Sequence, residues 1–427
     1  MATYYVAKTG DDSNGGTDSS APKLTITSAW NAVSNDDTIE IMDSETYVEG
    51  DISTRNITGL TVKATSGKTP VISGGGCDIY FLKFREGWTF EGLTFDNFAA
   101  GTSGIITHGG SCDALTVTNC TFQNSTGVMI KCSSVDETTI SRCTFKNNSA
   151  AATTDTTYQI SAGTKPAIIS NCLFYNIGIR NVNSIVIYAN HADTSITHCT
   201  IAKRDSTVSN PQIPNTVIWS GAGDVKFNLI YNFPANTQTI RAGGAGTVSY
   251  NTWGSTTTGW EGTSGPVGTP GTVANNIAVT SDPGFVSYSG DNYRLMKAAR
   301  SIAMDAASGS TETVDITGES RVSLDQLAYN SGILDMGCYE ASFYTVIESE
   351  TVPQIGSDFT INTHLLSSPN FHRAKPEAGS VQVTLQQVPF SAGVNGAIPS
   401  VVKQTGHAPN ATEPRVSYSN SKGDSKS

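Results

Sequence analysis

The sequence is dominated by a short phrase that returns between positions 88 and 232. It reads FEGLTFDN at 90–97, VTNCTFQN at 117–124, ISRCTFKN at 140–147 and ISNCLFYN at 169–176, with weaker copies at 196–201 and 225–232. Apolar residues alternate with Thr, Ser and Asn in each copy, which is typical of strands with one buried face. Repeats of this kind indicate stacked units that bury their apolar faces only against each other. Because all copies run in the same direction, the sequence predicts an all-β fold, a right-handed parallel β-helix.

Three rows of like residues define the register of this repeat. The central residues are 27, 23, 29, 27 and 29 positions apart, by successive subtraction for Phe95, Phe122, Phe145, Phe174, Ile201 and Ile230. Two positions earlier lie Leu93, Cys120, Cys143, Cys172 and Cys199. Two positions later lie Asn97, Asn124, Asn147, Asn176 and Asn232, with Lys203 the one exception. Asn tolerates left-handed backbone conformation, so its row predicts a sharp turn in each coil. The cysteines are interpreted as reduced core residues, since no C-x-x-C pair suggests a metal site.

Charge and composition narrow the classes of partner. The chain has 427 residues and a formal net charge of −11, which argues against a nucleic-acid-binding face or an anionic membrane surface. No apolar run is long enough to span a bilayer. The opening MATYYV has neither a basic nor an apolar leader region. Together with reduced cysteines, this favours synthesis and folding in a cytoplasm.

The two ends of the repeat carry more specific sequences. The opening residues predict a strand, a polar loop at 8–17, a short capping helix at 28–33 and further strands at 38–41 and 47–48. This opening, with DPGF at 282–285, DNYRL at 291–295 and DMGCYE at 335–340, resembles right-handed β-helix proteins of the pectate-lyase-like superfamily over residues 3–341. The resemblance implies the fold and a closing coil. It implies little about function, because that group includes lyases, hydrolases, epimerases, adhesins and phage spikes.

Composition divides the chain into three regions. Residues 1–50 are predicted to form an N-terminal cap and first coil, and residues 51–343 a parallel β-helix with its closing coil. Between Asn251 and Asn276 the repeat lapses into Gly, Thr, Ser and Pro, which predicts a long loop. Residues 344–427 contain seven prolines and no coil phrase. This extended β or irregular tail is predicted to be an attachment or oligomerisation segment that orders on a partner.

One outward row contains candidate catalytic residues. Asp113, Asp136 and Lys165 lie nine positions before the central residue of successive coils. Two carboxylates on neighbouring coils would bind Ca²⁺ or act as an acid and nucleophile pair. The family resemblance implies calcium-binding carboxylates beside a basic residue that removes a proton, and Lys165 is the candidate for that role. The alternative is that all three are solvated turn residues.

A second outward row is a candidate carbohydrate-binding surface. It lies three positions before the central residue and consists of Asn119, Arg142, Asn171 and His198. Polar side chains of this kind would bind sugar hydroxyls, although ordinary polar surface explains them equally well. Trp219, Trp253 and Trp260 lie in the later coils or their loops, where they would either stack on sugar rings or cover the core.

These observations favour a non-enzymatic virion surface protein of a bacteriophage, such as a tail spike, fibre or capsid decoration. Its expected partners are other virion proteins, bound through residues 344–427, and surface glycans; neither a nucleic acid nor a membrane is expected. The alternative function is a polysaccharide lyase or glycoside hydrolase, and a third is a bacterial adhesin. Many proteins of this shape form parallel trimers, so a homotrimer is the default oligomer. No cofactor is predicted other than Ca²⁺ in the enzymatic alternative.

Overall fold

The computed structural model describes residues 1–49, 56–75, 82–84, 87–108, 112–149, 158–177, 185–202, 216–233, 238–254, 267–268, 270–279, 282–295, 302–304, 306–321 and 334–340, and four short strands beyond residue 381. The chain divides into two compact units, one formed by residues 1–323 and 328–341 and the other by residues 324–327 and 342–427. In the first unit, successive turns of the chain add parallel strands to three long sheets. This arrangement is a parallel β-helix.

The strands pair with their equivalents one coil earlier and one coil later. Sheet A comprises Thr3–Val6, Thr38–Ile41, Thr61–Ala64, Trp88–Glu91, Cys112–Thr118, Val135–Ser141, Ala167–Ser170, Ser195–Thr197, Asp224–Lys226, Thr247–Ser249 and Thr272–Ala274. Sheet B comprises Thr46–Val48, Val71–Ser73, Thr94–Asp96, Thr121–Gln123, Thr144–Lys146, Leu173–Tyr175, Thr200–Ala202, Leu229–Tyr231, Thr252–Gly254 and Ile277–Val279. Sheet C comprises Leu82–Phe84, Ile106–His108, Ile130–Lys131, Tyr158–Gly163, Ile185–Ala189, Thr216–Ser220, Gln238–Ala242 and Val267–Gly268. Smaller pairs are Ala99–Gly101 with Thr126–Gly127, and Phe285–Ser287 with Asn292–Leu295.

Stacked phenylalanine rings fill the interior behind sheet B. Phe95, Phe122, Phe145 and Phe174 pair in register on successive strands and are fully buried. Their neighbouring ring centroids are 4.9, 5.0 and 4.6 Å apart, close to the spacing of hydrogen-bonded strands. Each coil therefore places its ring directly on the ring before it, and the predicted register is confirmed.

Two turns in each coil are made by residues in the left-handed region. At the end of sheet B the φ angles of the predicted Asn row lie between 50° and 58°, which confirms a sharp turn at Asn97, Asn124, Asn147, Asn176 and Asn232. The turn from sheet A into sheet B has a second such row, with φ between 52° and 62° at Asn119, Arg142, Asn171, His198, Phe227, Tyr250 and Asn275. Asn and His tolerate that region, whereas Arg142, Phe227 and Tyr250 are of types that do not favour it, so at these three positions the stacking of coils, and not local preference, maintains the turn.

The interior side of this second turn changes its chemistry along the helix. In the early coils it holds Cys120, Cys143, Cys172 and Cys199, all buried, and none of the seven cysteines in the described ranges forms a disulfide. In the later coils the same position holds Asn228, Asn251 and Asn276. Asn251 Nδ2 donates to Val225 O at 2.8 Å and to Asn276 Oδ1 at 3.0 Å, so the amides satisfy both the backbone and each other.

A short helix covers the N-terminal end of the solenoid. It spans Ile26–Ala32, and the Thr25 side chain caps it by accepting from Ser28 N. The buried Glu49 carboxylate accepts from Ile26 N at 2.9 Å and Thr27 N at 3.1 Å, placing negative charge at the helix N-terminus. The predicted capping helix is confirmed, and it begins two residues earlier because Thr25 provides the cap.

The late part of the repeat differs from the prediction. The stretch from Asn251 to Asn276 was predicted to be a long loop, but its described residues contain strands of all three sheets. Positions 255–266 and 269, where most of the predicted loop falls, lie outside the described residues. Val248 pairs with Val273, and Thr252 pairs with Ile277, so the register continues for one more coil. The phrase was not recognisable there because Asn replaces Cys and because small residues separate the strands.

Residues 282–295, 302–304, 306–321 and 334–340, here named the closing segment, lie along the outside of sheet B. Gly337 N donates to Phe227 O at 2.8 Å, and Cys338 N donates to Thr200 Oγ1 at 3.0 Å. Apart from Thr200, the outward side chains of sheet B in the second core are apolar where the closing segment covers them. This second core contains Leu173, Tyr175, Ala202, Leu229 and Tyr231 from the helix, with Phe285, Tyr293, Leu295, Met304, Ile316 and Met336 from the closing segment.

The second unit contains four short antiparallel strands, which are Gln382–Val383, Val402–Thr405, Arg415–Ser419 and Ser425–Lys426. The predicted attachment role of residues 344–427 stays a prediction. Among the residues that the structure describes, no helix has the length and apolar character needed to cross a bilayer.

Candidate functional site

Outward side chains of sheet C form a row of aromatic residues. Ser161, Tyr188, Trp219 and Arg241 pair in register on four successive strands. The inward neighbours of this row, such as Ile187 and Ile218, are fully buried. The strand period of two therefore sends Tyr188, Trp219 and Arg241 to the outer surface.

The rings of this row contact each other along the solenoid axis. The Tyr158 ring centroid lies 5.3 Å from that of Tyr188, which lies 5.5 Å from that of Trp219 at 89°. The Arg241 guanidinium carbon lies 4.0 Å from the Trp219 ring centroid, a cation–π arrangement. All three aromatic residues are half-buried and Arg241 is exposed. We name Tyr158, Tyr188, Trp219 and Arg241 the aromatic row.

Partial burial changes the pKa of Tyr158 in the aromatic row. Burial raises the pKa of Tyr158, and the neighbouring Tyr188 raises it further. The Tyr158 phenol is therefore protonated at neutral pH, when it offers one O–H donor together with an aromatic face.

A recess of about 470 Å³ opens beside the end of the aromatic row. Trp219, Arg241 and Asn190 line it together with small residues, which are Ala192, Gly221, Ala222, Ala242, Gly243 and Gly244. The small residues are required by the tight stacking of the turns from sheet C into sheet A. A β-carbon at Gly221 would lie 2.0 Å from Asn190 Oδ1, and one at Gly244, where φ is +65°, would lie 2.5 Å from Ala222 Cβ.

The three predicted catalytic residues lie on the same edge of the solenoid, one to three coils before Ala192, which lines the recess. Asp113 lies between the register pairs Cys112↔Val135 and Ala114↔Glu137, which aligns it with Asp136. The Lys165 ammonium forms an ion pair with the Asp136 carboxylate, and these side chains are 43% and 58% exposed. An ion pair with that exposure adds little to stability. The structure thus brings Asp136 and Lys165 together, and their catalytic role stays a prediction.

The predicted carbohydrate-binding row is divided by the closing segment. Asn119 is exposed and Arg142 is half-buried, with its Nη2 donating to Thr118 Oγ1 at 3.2 Å. Asn171 and His198 are buried. Their side chains contact the closing segment, through Arg321 Nη2 donating to Asn171 Oδ1 at 2.8 Å and through Ser310 Oγ, 3.0 Å from His198 Nε2. A sugar therefore has access only to Asn119 and Arg142, and for these two residues binding stays a prediction.

Arg321 anchors the closing segment to this turn. Its side chain is fully buried. The guanidinium donates to Gly337 O at 2.6 Å, to Asp335 O at 3.2 Å and to Glu340 Oε2 at 3.2 Å, in addition to Asn171. Burial lowers the pKa of His198 well below its usual range, and the nearby Arg321 charge lowers it further. His198 is therefore a neutral, structural histidine.

No group of three or more His, Cys, Asp or Glu side chains converges as metal ligands within the described ranges. Ca²⁺ binding by the Asp113 and Asp136 row stays a prediction. Of the predicted tryptophans, Trp219 lies in the aromatic row, Trp253 lies on sheet B in register with Ala278, and Trp260 is outside the described residues.

Sequence reasoning missed most of the aromatic row, because the returning phrase covers sheets A and B but not sheet C. The available signal was the spacing of Tyr158, Tyr188 and Trp219, each about one coil after the last. That signal becomes readable only when the third strand of the coil has been placed.

Comparisons with known proteins agree with this architecture. A family model described as a right handed beta helix region matches residues 54–229, and the predicted right-handed parallel β-helix is confirmed. A solved pectate lyase, Pel9A, is 14% identical with a TM-score of 0.41, covering 80% of this chain and 96% of its own. A rhamnogalacturonan lyase is 12% identical with a TM-score of 0.35, covering 60% and 74%. Likenesses at this level say nothing of activity or substrate. No curated protein sequence matches the chain.

Proposed function

We propose that this protein binds a polysaccharide along the outer face of sheet C. The observation that carries the proposal is the aromatic row, in which Tyr158, Tyr188 and Trp219 lie half-exposed in contact with one another and end at Arg241. Aromatic faces stack on the C–H faces of sugar rings, and their polar edges bind hydroxyls. The row runs from coil to coil, so its ligand is an extended chain and not a single small molecule.

The recess supports this function by adding convergent polar groups. The Asn190 amide and the Arg241 guanidinium both line it, beside the apolar surface of Trp219. A concave surface with a few placed polar groups and an aromatic wall is the common form of a ligand site. Both polar groups suit the hydroxyl and ring oxygens of a glycan, which accept hydrogen bonds from N–H donors.

The first test is direct binding of the full chain to immobilised polysaccharides of varied composition. We expect Trp219→Ala and Arg241→Ala to weaken the best binding by about tenfold or more, a loss of about 1.4 kcal/mol for each factor of ten. Trp253→Ala removes a half-buried Trp from sheet B and is the matched control, with binding retained. Wild-type affinity in Trp219→Ala would contradict the proposal, as would the absence of binding to every polysaccharide tested.

The setting that we propose for this activity is the surface of a bacteriophage virion. This part rests on the sequence, through the reduced buried cysteines and the proline-rich residues 344–427. A truncation to residues 1–343 should bind the same polysaccharide as the full chain but fail to join particles or assemblies. If the chain truncated to residues 1–343 still joined particles or assemblies, residues 344–427 would not be the attachment segment.

A second candidate function is cleavage of the bound polysaccharide. It is favoured by the contact between Asp136 and Lys165 on the edge that leads to the recess. A carboxylate beside an amine would serve proton transfer in a lyase or a glycosidase. Wild type, Asp113→Ala, Asp136→Asn and Lys165→Met should then differ in the release of new chain ends from a bound polysaccharide, with and without Ca²⁺. Binding without release by the wild type would exclude this candidate for that polysaccharide.

A further inference from the structure

The interior apolar row of sheet A ends at an exposed residue. Nine of its members are 0–1% exposed, and in register they are Ile39, Val62, Phe90, Val117, Ile140, Ile169, Ile196, Val225 and Val248. The tenth member, Val273, pairs with Val248 but is 51% exposed. The core of the solenoid therefore reaches the solvent at its C-terminal end.

A series of hydrogen bonds from backbone N–H groups to Asn side chains of the following coil also ends at the C-terminal end of the solenoid. Cys199 N donates to Asn228 Oδ1 at 2.9 Å, Asn228 N to Asn251 Oδ1 at 3.0 Å, and Asn251 N to Asn276 Oδ1 at 3.0 Å. Each coil thus supplies an amide oxygen to the coil before it, and within the described residues Asn276 is the last of this series. Thr272–Ala274 and Ile277–Val279 are likewise the last strands of sheets A and B among the described residues. No described strand pairs with their outer edges, which can therefore pair with another strand.

The sequence of this edge lacks the residues that usually prevent strand pairing. From position 271 to position 281 it reads GTVANNIAVTS, with neither a charged residue nor Pro. Edge strands are commonly protected by Lys, other charges, Pro or a bulge. In a chain of net charge −11, most surfaces repel a second copy, whereas an uncharged edge does not.

The opposite end of the solenoid is closed. The capping helix at Ile26–Ala32 buries Ile26, Ala29 and Trp30 against the first coils. One open end and one closed end exclude a continuous head-to-tail filament. Association of two identical open ends gives a closed, twofold dimer in which each copy contributes the same surface.

We propose that two copies of this chain meet end to end through the last coil, Thr272–Ala274 and Ile277–Val279. Val273 of each copy becomes covered by the last coil of the other, and the exposed edges of sheets A and B gain hydrogen-bonding partners. The occupant is a second copy because twofold symmetry brings the same strand edge of each copy against the other, and this edge carries no charge that would repel its own copy. The dimer is independent of the proposed glycan binding, and it differs from the side-by-side homotrimer expected by resemblance.

The test is sedimentation velocity of the full chain, cysteines reduced, from about 1 to 100 µM, a range that covers weak and strong dimers. The wild type should show a dimer mass that falls to the monomer mass on dilution below the dissociation constant. Val273→Lys should raise the dimer dissociation constant by at least about tenfold, because it buries an unpaired charge. Val273→Ile should leave the dimer intact.

Ile168→Lys is the matched control. Ile168 is also β-branched, lies on sheet A and is 52% exposed, but it faces outwards in the middle of the solenoid. The Ile168→Lys variant should dimerise as the wild type does, and circular dichroism should show that all variants are folded. A monomeric wild type over the whole range, or a dimer or trimer unaffected by Val273→Lys, would overturn the proposal. Neither result bears on glycan binding, which is measured separately.

Discussion

Two outer faces of the same solenoid carry aromatic residues, but the rings are buried on one face and half-exposed on the other. On sheet B, Tyr175 and Tyr231 are buried beneath the closing segment, where Tyr175 contacts Tyr293 with ring centroids 5.1 Å apart. On sheet C, Tyr188 and Trp219 are half-exposed, and the ring contacts found among the described residues are with each other, Tyr158 and Arg241. An aromatic residue outside a β-helix is therefore not by itself a binding residue. What distinguishes the two faces is whether another part of the chain covers the rings.

The sheet B face is sealed by polar contacts as well as by apolar packing. Arg321 donates to a side chain of the helix, Asn171, and to carbonyl groups of the closing segment itself. On the sheet C face the corresponding cation, Arg241, is exposed and lies over Trp219. A buried guanidinium with satisfied donors specifies one arrangement, whereas an exposed one is available to a ligand.

The largest loss of stability should come from replacing Arg321, which holds the closing segment on sheet B. Arg321→Leu leaves Asn171 Oδ1 and the carbonyl oxygens of Val314, Asp335 and Gly337 without this donor. It also removes the charged partner of the Glu340 carboxylate, which keeps the Asp335 backbone N–H among its described donors. Removing one member of a buried charged network typically costs about 3–5 kcal/mol. Hydrogen exchange should show residues 334–340 losing protection, while the early coils of sheet B stay protected.

The control for this variant is Arg294→Leu. The Arg294 guanidinium lies 5.1 Å from the Tyr339 ring centroid, also on the closing segment, but the residue is only half-buried. Loss of such a cation–π contact should cost about 1 kcal/mol or less. Equal loss of protection in the two variants would mean that Arg321 does not anchor the segment.

A smaller effect should come from protonating His198 beneath the same segment. Its pKa is lowered in the folded protein by burial and by Arg321, whereas the unfolded chain has an ordinary value of about 6.5. Below that value the unfolded state binds more protons than the folded state. The contribution of His198 to stability is therefore complete above about pH 6.5 and is lost as the pH falls towards the lowered folded value.

The measurement is the urea midpoint at about pH 7.5 and about pH 5.5, a window in which most carboxylates stay ionised. His198→Asn keeps a polar partner for Ser310, cannot be protonated, and should show a smaller decrease on acidification than the wild type. His191→Asn changes a half-buried histidine beside Asp193 at the opposite turn and should keep the full decrease. The same acid response in His198→Asn and wild type would assign it to other groups.

The repeat and its register were predictable from residues that recur, because stacking forces equivalent positions to carry similar side chains. The N-terminal capping helix was predictable from its own local sequence. Phe95, Phe122 and Phe145 are the clearest example. The covering of sheet B was not predicted, although its signal exists. The outward positions Thr94, Thr121 and Thr144 are followed in register by Leu173, Thr200 and Leu229 where the closing segment lies, so two of the three covered positions are apolar.

The candidate site was predicted only in part, for a different reason. Asp136 and Lys165 were placed on one edge by counting from the repeat, and the structure joins them. Asn171 and His198 were counted to an outward row in the same way, but contacts with residues more than 100 positions later bury them. Periodicity locates a side chain within its coil. It carries no information about distant segments that return to cover that coil.

The smallest effect on stability should come from a substitution on the outer face of sheet C. Trp219→Ala removes a large ring whose contacts are Tyr188 on one side and Arg241 on the other. The ring is half-exposed, and no described residue of the closing segment contacts it. We therefore expect the free energy of unfolding to fall by about 1 kcal/mol or less. Removal of a buried aromatic residue typically costs about 3–5 kcal/mol. Chemical denaturation monitored by circular dichroism measures this directly. A loss as large as that of Arg321→Leu would make Trp219 a structural cover like Tyr231, and the two faces would then differ in degree only. A small loss of stability, together with a large loss of glycan binding, would mean that the aromatic row is retained for a ligand and not for the fold.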